Sequence, residues 1–172
     1  REVIHHCKSS DHPSIIEFIG YSPVNFEGNH YPTIFLEYAK CKSLGNIIQK
    51  KWSGKTKGPK WLDYTMKLII LYGIASSMSY LHSKGIIHRD LKPINILLVK
   101  KGKKHYPKLS DFGLSIKEEL KLNEKEIQGT MRYFSPEITD NNCFSKFSDV
   151  YAFGTTAYEL FCKRDPFKIF NS

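Results

Sequence analysis

The stretch of the sequence best suited to chemistry is residues 88–95, which read His-Arg-Asp-Leu-Lys-Pro-Ile-Asn. A second acidic residue, Asp111, follows Asp90 by 21 positions and begins the tripeptide Asp-Phe-Gly. If the chain between these two motifs forms a hairpin, Asn95 and Asp111 meet at its open end. An amide oxygen and a carboxylate oxygen are hard ligands of the kind that Mg²⁺ prefers. The spacing therefore predicts a magnesium site at this end of the hairpin.

Asp90 and Lys92 lie one short loop away from the predicted magnesium site. Transfer of a phosphoryl group needs a metal ion to neutralise phosphate oxygens, a cation to offset charge and a carboxylate to orient the attacking hydroxyl. Asp90 and Lys92 supply the carboxylate and the cation. The pattern is therefore typical of phosphoryl transfer, and an arrangement in which these polar residues only decorate a turn is the less favoured alternative.

Hydrophobic periodicity predicts the elements that position these residues. The predicted strands are residues 15–21, 33–38, 95–99 and 107–111, and the predicted helices are residues 43–51, 64–83 and 149–162. Asp63 is a suitable N-cap for the helix at residues 64–83. Apolar residues at helical spacing predict the buried stripe of this helix: Ile70, Ile74, Met78 and Leu81. The helix at residues 149–162 is apolar on all sides, which predicts burial. Residues 114–128 are mostly charged, which predicts exposure, and Ser115 is a candidate phosphorylation site.

The charge of the chain is strongly positive, with 26 Lys and Arg against 17 Asp and Glu and a formal net charge of +9. The excess is concentrated at residues 50–60 and 100–104, where Gly or Pro interrupts the lysines. This pattern favours solvated loops, so nucleic-acid binding is the less favoured interpretation. No apolar run is long enough to span a membrane. The four cysteines form no C-x-x-C pair, which indicates a reducing compartment and a cytoplasmic location as the default.

The two motifs resemble the H-R-D-x-K-x-x-N catalytic loop and the D-F-G motif of the eukaryotic-type protein kinase catalytic domain. Residues 135–137 (Ser-Pro-Glu) are similar to the end of a kinase activation segment, and residues 35–39 are similar to the hinge. Residues 149–154 resemble the start of the family's central helix, in which Asp149 would hold the backbone of the catalytic loop. The resemblance covers all 172 residues.

The resemblance implies a role for each residue of the site. Asp90 would orient the substrate hydroxyl, Lys92 would contact the γ-phosphate of ATP, and Thr130 would brace Asp90. The implied catalytic residues are therefore Asp90, Lys92 and Thr130. The implied ATP-binding residues are Leu36, Glu37, Ala39, Lys92, Asn95, Leu97 and Asp111, and the implied ligands of Mg²⁺ are Asn95 and Asp111.

Four of these residues would surround the adenine base of ATP. The resemblance makes Leu36 the gatekeeper, and it implies that the backbones of Glu37 and Ala39 meet the base. Leu97 would pack under the base. For Leu36, Ala39 and Leu97, ordinary core packing is an alternative that the sequence leaves open.

The resemblance also implies an α+β, bilobal protein kinase-like fold, truncated at both ends. Residues 1–39 would form the end of the small β lobe and the hinge, and residues 40–172 the mostly helical large lobe without its last helices. The whole chain, residues 1–172, is thus predicted to be a partial protein kinase domain. The Gly-rich phosphate loop and the lysine of the V-A-I-K strand are expected before Arg1.

The expected function is that of a protein serine/threonine kinase, which uses Mg²⁺ to transfer the γ-phosphoryl group of ATP to a hydroxyl of a protein substrate. Lys92 and Thr130 are typical of serine/threonine specificity, and residues 85–90 and 150–154 resemble the tyrosine-kinase-like group. Ile94 stands where the family often has Glu, which removes one carboxylate able to recognise a basic substrate residue. The alternative is a catalytically inactive kinase-like scaffold or binding module, and this segment alone is expected to be weakly active or inactive.

Overall fold

The computed structural model describes residues 11–52, 59–118 and 128–162. The helices are α1 (Leu44–Trp52), α2 (Tyr64–Ser83), α3 (Pro136–Asn141) and α4 (Lys146–Cys162). The strands are β1 (Phe18–Ser22), β2 (Thr33–Leu36), β3 (Ile86–Ile87), β4 (Ile96–Lys101), β5 (Lys104–Leu109) and β6 (Ile116–Lys117). Two short 3₁₀ turns cover Pro93–Asn95 and Met131–Tyr133. This combination is the predicted α+β class, and residues 1–10 of the predicted small-lobe remnant lie outside the described residues. None of the described helices is both long and apolar enough to cross a membrane.

Helix α2 has the bounds that the sequence predicts. The Asp63 side chain caps it by accepting a hydrogen bond from the Met66 N–H at 2.8 Å. The predicted apolar stripe is buried: Ile70, Ile74, Met78 and Leu81. Just beyond the helix, Gly85 adopts a left-handed φ of 66°, which a glycine tolerates without steric cost. Capping and periodicity therefore fix this helix locally.

The predicted hairpin before the D-F-G motif is also present. Strands β4 and β5 pair antiparallel, from Ile96 opposite Leu109 to Lys101 opposite Lys104. Gly102 closes the turn with a left-handed φ of 60°. Because the register is continuous, the residues that flank the open end of the hairpin are held side by side.

Gly73 lets the hairpin pack closely on α2. A Cβ atom at Gly73 would lie 2.5 Å from Cγ of Pro107 in β5 and 2.9 Å from Oγ of Ser14. A glycine inside a helix costs about 0.5–1 kcal/mol relative to alanine. The close approach of α2 and β5 explains why this helix contains a glycine.

Strands β1 and β2 are shorter than predicted and pair antiparallel, with Phe18 opposite Leu36. The chain before β1 leaves that sheet and runs beside β5. The Ile16 N–H donates to the Leu109 carbonyl at 2.9 Å, and the Leu109 N–H donates to the Ser14 carbonyl at 2.7 Å. Ile15 and Ile16 are fully buried as a result. The first residues of the predicted strand at 15–21 therefore pair with β5, and the later ones pair with β2. The apolar pattern of the sequence does not predict this division.

The prediction that α4 is buried on all sides is wrong. The helix begins at Lys146, earlier than predicted, because the Ser148 hydroxyl donates to the Ser145 carbonyl at 2.6 Å and accepts the Ser145 N–H at 2.8 Å. The bond from the Ser145 N–H to the side chain three residues later is one half of the capping-box pattern that marks a helix start. One face of α4 is buried, but Val150 is 57% exposed and Tyr151 is 37% exposed.

The predicted exposure of residues 114–128 is wrong at the start of that range. Ser115 is fully buried, and its hydroxyl donates to the His88 carbonyl at 3.3 Å. Ile116 is buried in β6, opposite Ile87 of β3. Ser115 is therefore not accessible for phosphorylation in this conformation, and residues 119–127 lie outside the described residues.

His105 in β5 gives the fold a dependence on pH. Its ring stacks on Trp61 at a centroid distance of 3.8 Å and is buried. Burial, and secondly the positive charge of Lys100, lowers the pKa of His105 below the ordinary histidine value of 6.5. Burial and Lys108 lower the pKa of His12 in the same way. Because the folded protein binds these protons less readily than the unfolded chain, the stability they contribute is present above pH 6.5 and is lost as the pH falls through the folded pKa values.

We therefore expect the melting temperature to fall between about pH 7.5 and pH 5.5, and His105→Phe to reduce that fall. Phenylalanine keeps the stack on Trp61 and removes the titrating group. Thermal melts followed by circular dichroism at both pH values measure the difference, with the exposed His30→Phe as control. An equal fall in the wild-type protein and in His105→Phe would contradict the prediction.

Candidate active site

The backbone at the start of residues 88–95 is held by one carboxylate at the beginning of α4. Asp149 Oδ2 accepts the His88 N–H at 2.9 Å, and Asp149 Oδ1 accepts the Arg89 N–H at 2.9 Å. Asp149 is only 2% exposed, so these charge-assisted bonds form away from water. The contact between Asp149 and the catalytic-loop backbone that the resemblance implies is present.

This contact holds a strained backbone. Arg89 adopts a left-handed φ of 71°, a conformation that costs a residue with a Cβ atom about 1–3 kcal/mol. The Arg89 guanidinium lies over the Phe144 ring at 4.0 Å from its centroid, which gives a cation–π contact. His82, in the last turn of α2, places Nε2 2.9 Å from Asp149 Oδ2. The strain at Arg89 is therefore offset by its contacts with Asp149 and Phe144, and His82 in turn supports Asp149.

The His88 ring connects the loop to the D-F-G segment. Its Nδ1 accepts the Asp90 N–H at 3.3 Å, so the proton of the neutral ring is on Nε2. Nε2 then donates to the Ser110 carbonyl at 3.2 Å. The buried Phe112 ring packs against His88 with a centroid distance of 5.3 Å. These contacts fix the position of Asp90 relative to Asp111.

The Asp90 carboxylate is the centre of a polar cluster. Thr130 Oγ1 donates to Asp90 Oδ1 at 2.9 Å, and Lys92 Nζ lies 2.5 Å from Asp90 Oδ2. Lys92 Nζ also donates to Thr130 Oγ1 at 2.8 Å. Asn95 Nδ2 donates to Asp90 Oδ2 at 3.0 Å and to the Asp90 carbonyl at 2.9 Å. The structure thus brings together four residues that the sequence predicts for the site.

Asp111 lies at the open end of the hairpin, as its spacing from Asn95 predicts. The Ser110 N–H and hydroxyl both donate to the Asn95 carbonyl at 2.9 Å, which closes this end. Asp111 is exposed and has a left-handed φ of 66°. Because the Asn95 amide nitrogen bonds Asp90, the Asn95 Oδ1 atom remains as the possible ligand of a cation. One amide oxygen and one carboxylate form a donor set that fits Mg²⁺.

The residues predicted to meet adenine lie on separate elements. Leu36 ends β2, Ala39 follows it, and Leu97 is in β4; all three are half-buried. The chain after the predicted hinge runs beside β4, because the Leu98 N–H donates to the Lys42 carbonyl at 3.0 Å. Ser43 forms an antiparallel bridge with Leu97. The hinge segment and β4 are therefore neighbours, although no described contact joins Leu36 or Ala39 directly to Leu97.

Sequence reasoning missed an ion pair that anchors the hinge. Lys108 Nζ lies 2.8 Å from Glu37 Oε2 and donates to the Ile15 carbonyl at 3.3 Å. Lys108 is 8% exposed. A buried lysine needs a partner, but Lys108 stands in the mixed run Lys-His-Tyr-Pro-Lys-Leu, which does not signal that it is buried. The sequence does not identify Glu37 as that partner, since the pair depends on tertiary contacts.

Comparison with known proteins identifies the family. The family model for the protein kinase domain matches residues 1–172, and the chain belongs to that family. A probable LIM domain-containing serine/threonine-protein kinase of Dictyostelium discoideum is 34% identical over 95% of this chain and 23% of the relative. Serine/threonine-protein kinase CTR1 of Arabidopsis thaliana is 34% identical over 90% of this chain and 18% of the relative. Aurora kinase of Saccharomyces cerevisiae is 40% identical over 93% of this chain and 40% of the relative.

The predicted resemblance to a protein kinase catalytic domain is thus confirmed. The chain spans less than half of the length of each of these three relatives.

We expect Asp149→Asn to lower the free energy of unfolding by about 1–3 kcal/mol, because an amide nitrogen would then face a buried backbone N–H. Denaturant titration of the two proteins measures the change. Asp11→Asn, at an exposed position, is the matched control and should change stability by less than about 0.5 kcal/mol. Equal changes in the free energy of unfolding for the two substitutions would show that Asp149 does not stabilise the backbone of residues 88–89.

Proposed function

We propose that this chain is part of the catalytic domain of a protein serine/threonine kinase that uses ATP and Mg²⁺. The observation that carries the proposal is the Asp90 carboxylate, held at once by Lys92, Thr130 and Asn95. The relatives described above are named as protein kinases, which supports the same activity. The proposed division is residues 1–39 for the end of the small lobe and the hinge, and residues 40–172 for the large lobe.

The proposed reaction assigns one role to each side chain of the cluster. The serine or threonine hydroxyl of the substrate attacks the γ-phosphorus of ATP, the bond from that phosphorus to the bridging oxygen breaks, and ADP leaves. Asp90 orients the hydroxyl and accepts its proton. Lys92 offsets the negative charge of the transferring phosphoryl group. Thr130 is a positioning residue, since its hydroxyl bonds both Asp90 and Lys92.

Asn95 and Asp111 are the proposed ligands of Mg²⁺. The ion, when bound, neutralises charge on the phosphate oxygens. Magnesium sites of this kind use one or two protein ligands together with phosphate oxygens and water, rather than a complete cage of protein ligands. Within the described parts of the chain, no group of three His, Cys, Asp or Glu side chains could form such a cage.

The proposed adenine site uses the hinge backbone. Within the described residues, the Glu37 carbonyl and the Ala39 N–H take part in no backbone hydrogen bond, so both remain for the base. The ion pair between Glu37 and Lys108 holds the Glu37 side chain against β5, which supports a fixed position for this backbone. Leu36 would be the gatekeeper residue, and Leu97 would pack under the base.

Specificity for serine and threonine, and membership of the tyrosine-kinase-like group, are part of the proposal. The contact of Lys92 with Thr130 supports the former, and the residues around the catalytic loop support the latter. The proposed partner is a protein that presents a serine or threonine. The thiols of Cys41, Cys143 and Cys162 are free, which is compatible with the proposed cytoplasmic location.

We expect Asp90→Asn to lower kcat for phosphoryl transfer by about 10²–10⁴-fold, because the amide accepts no proton. The assay uses the natural full-length protein with radiolabelled ATP and peptides that contain serine or threonine. Asp140→Asn, on the exposed surface of α3, is the control with unchanged kcat.

Calorimetric titration with ATP and Mg²⁺ separates catalysis from nucleotide binding. Asp90→Asn should keep nucleotide affinity, and Asp111→Asn should lose the part that depends on Mg²⁺. Nucleotide binding by the wild-type protein without transfer to any peptide would favour the kinase-like scaffold instead.

A further inference from the structure

The closed end of the β4–β5 hairpin carries a group of lysines outside the Asp90 site. The turn between the two strands reads Lys-Lys-Gly-Lys-Lys at residues 100–104, and all of these residues are exposed. The register pairs Lys101 with Lys104, so the two strands bring their lysines side by side. The 6 residues of β4, at about 3.4 Å each, place this turn about 20 Å from Asn95 at the open end. The lysines are therefore not part of the phosphoryl-transfer cluster.

A further lysine joins this group through an aromatic stack. The centroid of the Trp61 ring lies 3.8 Å from that of the His105 ring. His105 pairs with Lys100 in the β4–β5 register, and Lys60, next to Trp61 in the chain, is exposed. The stack thus holds the segment before α2 against the hairpin. The resulting surface, called the lysine patch below, consists of Lys60, Lys100, Lys101, Lys103 and Lys104.

Neighbouring carboxylates do not neutralise the charge of the lysine patch. Residues 95–110 contain no Asp or Glu. Asp63 is the acidic residue nearest to Lys60 in the sequence, and its side chain caps α2. Within the described residues, no lysine of the patch forms an ion pair. Like charges directly opposite each other, such as Lys101 and Lys104, destabilise an antiparallel pair, so this concentration of charge points to an anionic partner.

The shape of the patch favours a membrane surface over a nucleic acid. Proteins that bind single-stranded nucleic acid combine a positively charged groove with aromatic side chains on which the bases stack. Here the lysines lie on an exposed turn, and His105 covers one face of the Trp61 ring. Tyr106, the one Tyr, Phe or Trp of the hairpin, is 37% exposed. Clusters of about four to eight basic residues attract the anionic lipids of the cytoplasmic leaflet, and each basic residue strengthens binding about fivefold.

We propose that the lysine patch docks the protein on a membrane surface that contains anionic phospholipids. Residues 100–104 include no apolar side chain, so the lysines contact the headgroups without insertion into the hydrocarbon core. The closed end of the hairpin faces the membrane, and Asn95 and Asp111 at the open end stay about 20 Å away. Docking therefore leaves the Asp90 site accessible, and it does not depend on the proposed kinase activity.

Cosedimentation with lipid vesicles tests the proposal on the natural full-length protein. One kind of vesicle consists of phosphatidylcholine alone, and the other of phosphatidylcholine and phosphatidylserine in equal amounts. We expect binding to the second kind only. A rise in salt from about 0.1 M to about 1 M should release the protein, because the screening length falls from about 10 Å to about 3 Å. Lys103→Gln combined with Lys104→Gln should weaken binding about tenfold or more, since each removed lysine costs about fivefold.

Lys84→Gln combined with Lys146→Gln is the matched control, because it removes the same charge from exposed positions elsewhere. Lys84 follows the end of α2, a helix of 20 residues, whereas Lys60 precedes its start, so the two lysines lie about 30 Å apart. The control should bind the anionic vesicles like the wild-type protein. Melting temperatures equal to that of the wild-type protein show that both double variants are folded.

Weaker vesicle binding in the hairpin variant alone supports the proposal. Absence of wild-type binding to the anionic vesicles, unchanged binding of the hairpin variant, or an equal loss in the two double variants would overturn it. Single-stranded polyuridine RNA, added to the vesicle-bound protein, separates the two kinds of anionic partner. Release at an equal concentration of negative charge would assign the patch to nucleic acid instead, and retention on the vesicles supports membrane docking.

Discussion

The site depends on one carboxylate, that of Asp149, which binds two consecutive backbone N–H groups at the start of the loop. Without those bonds, the left-handed backbone of Arg89 would lose its support, and two buried N–H groups would have no acceptor. The carboxylate is placed by the start of α4, and that start is held by the two bonds between the Ser148 hydroxyl and the Ser145 backbone. A helix start more than fifty residues along the chain thus determines where Asp90 points.

The geometry of the Asp90 cluster also depends on a second segment of the chain. Thr130 reaches Asp90 from the chain that follows residues 119–127, and Gly129 allows that approach. Gly129 has a φ of 130°, and a Cβ atom there would lie 2.8 Å from the Phe134 ring and 3.3 Å from the Arg89 carbonyl. The hydrogen bond from Thr130 to the Asp90 carboxylate therefore forms only when this segment lies against the loop, which links the position of the segment to the geometry of the site.

The sequence predicts those parts of the molecule that are determined locally. Helix α2 follows from its cap and its apolar spacing, and the β4–β5 hairpin follows from the apolar run at residues 96–99 and the turn at Gly102. The same hairpin explains why Asn95 and Asp111 both lie at its open end. The partner of Lys108, the burial of Ser115 and the exposed face of α4 could not be predicted, because each depends on elements distant in sequence.

The residues of the loop that carries Asp90 differ in how strongly their neighbours constrain them. Lys92 and Asn95 both bond the Asp90 carboxylate, so a change at any of these three residues would leave a partner unsatisfied. Ile94 lies between Lys92 and Asn95 in the chain, but it is 40% exposed. The 3₁₀ turn at Pro93–Asn95 therefore places one residue outside the hydrogen-bond network that its neighbours form.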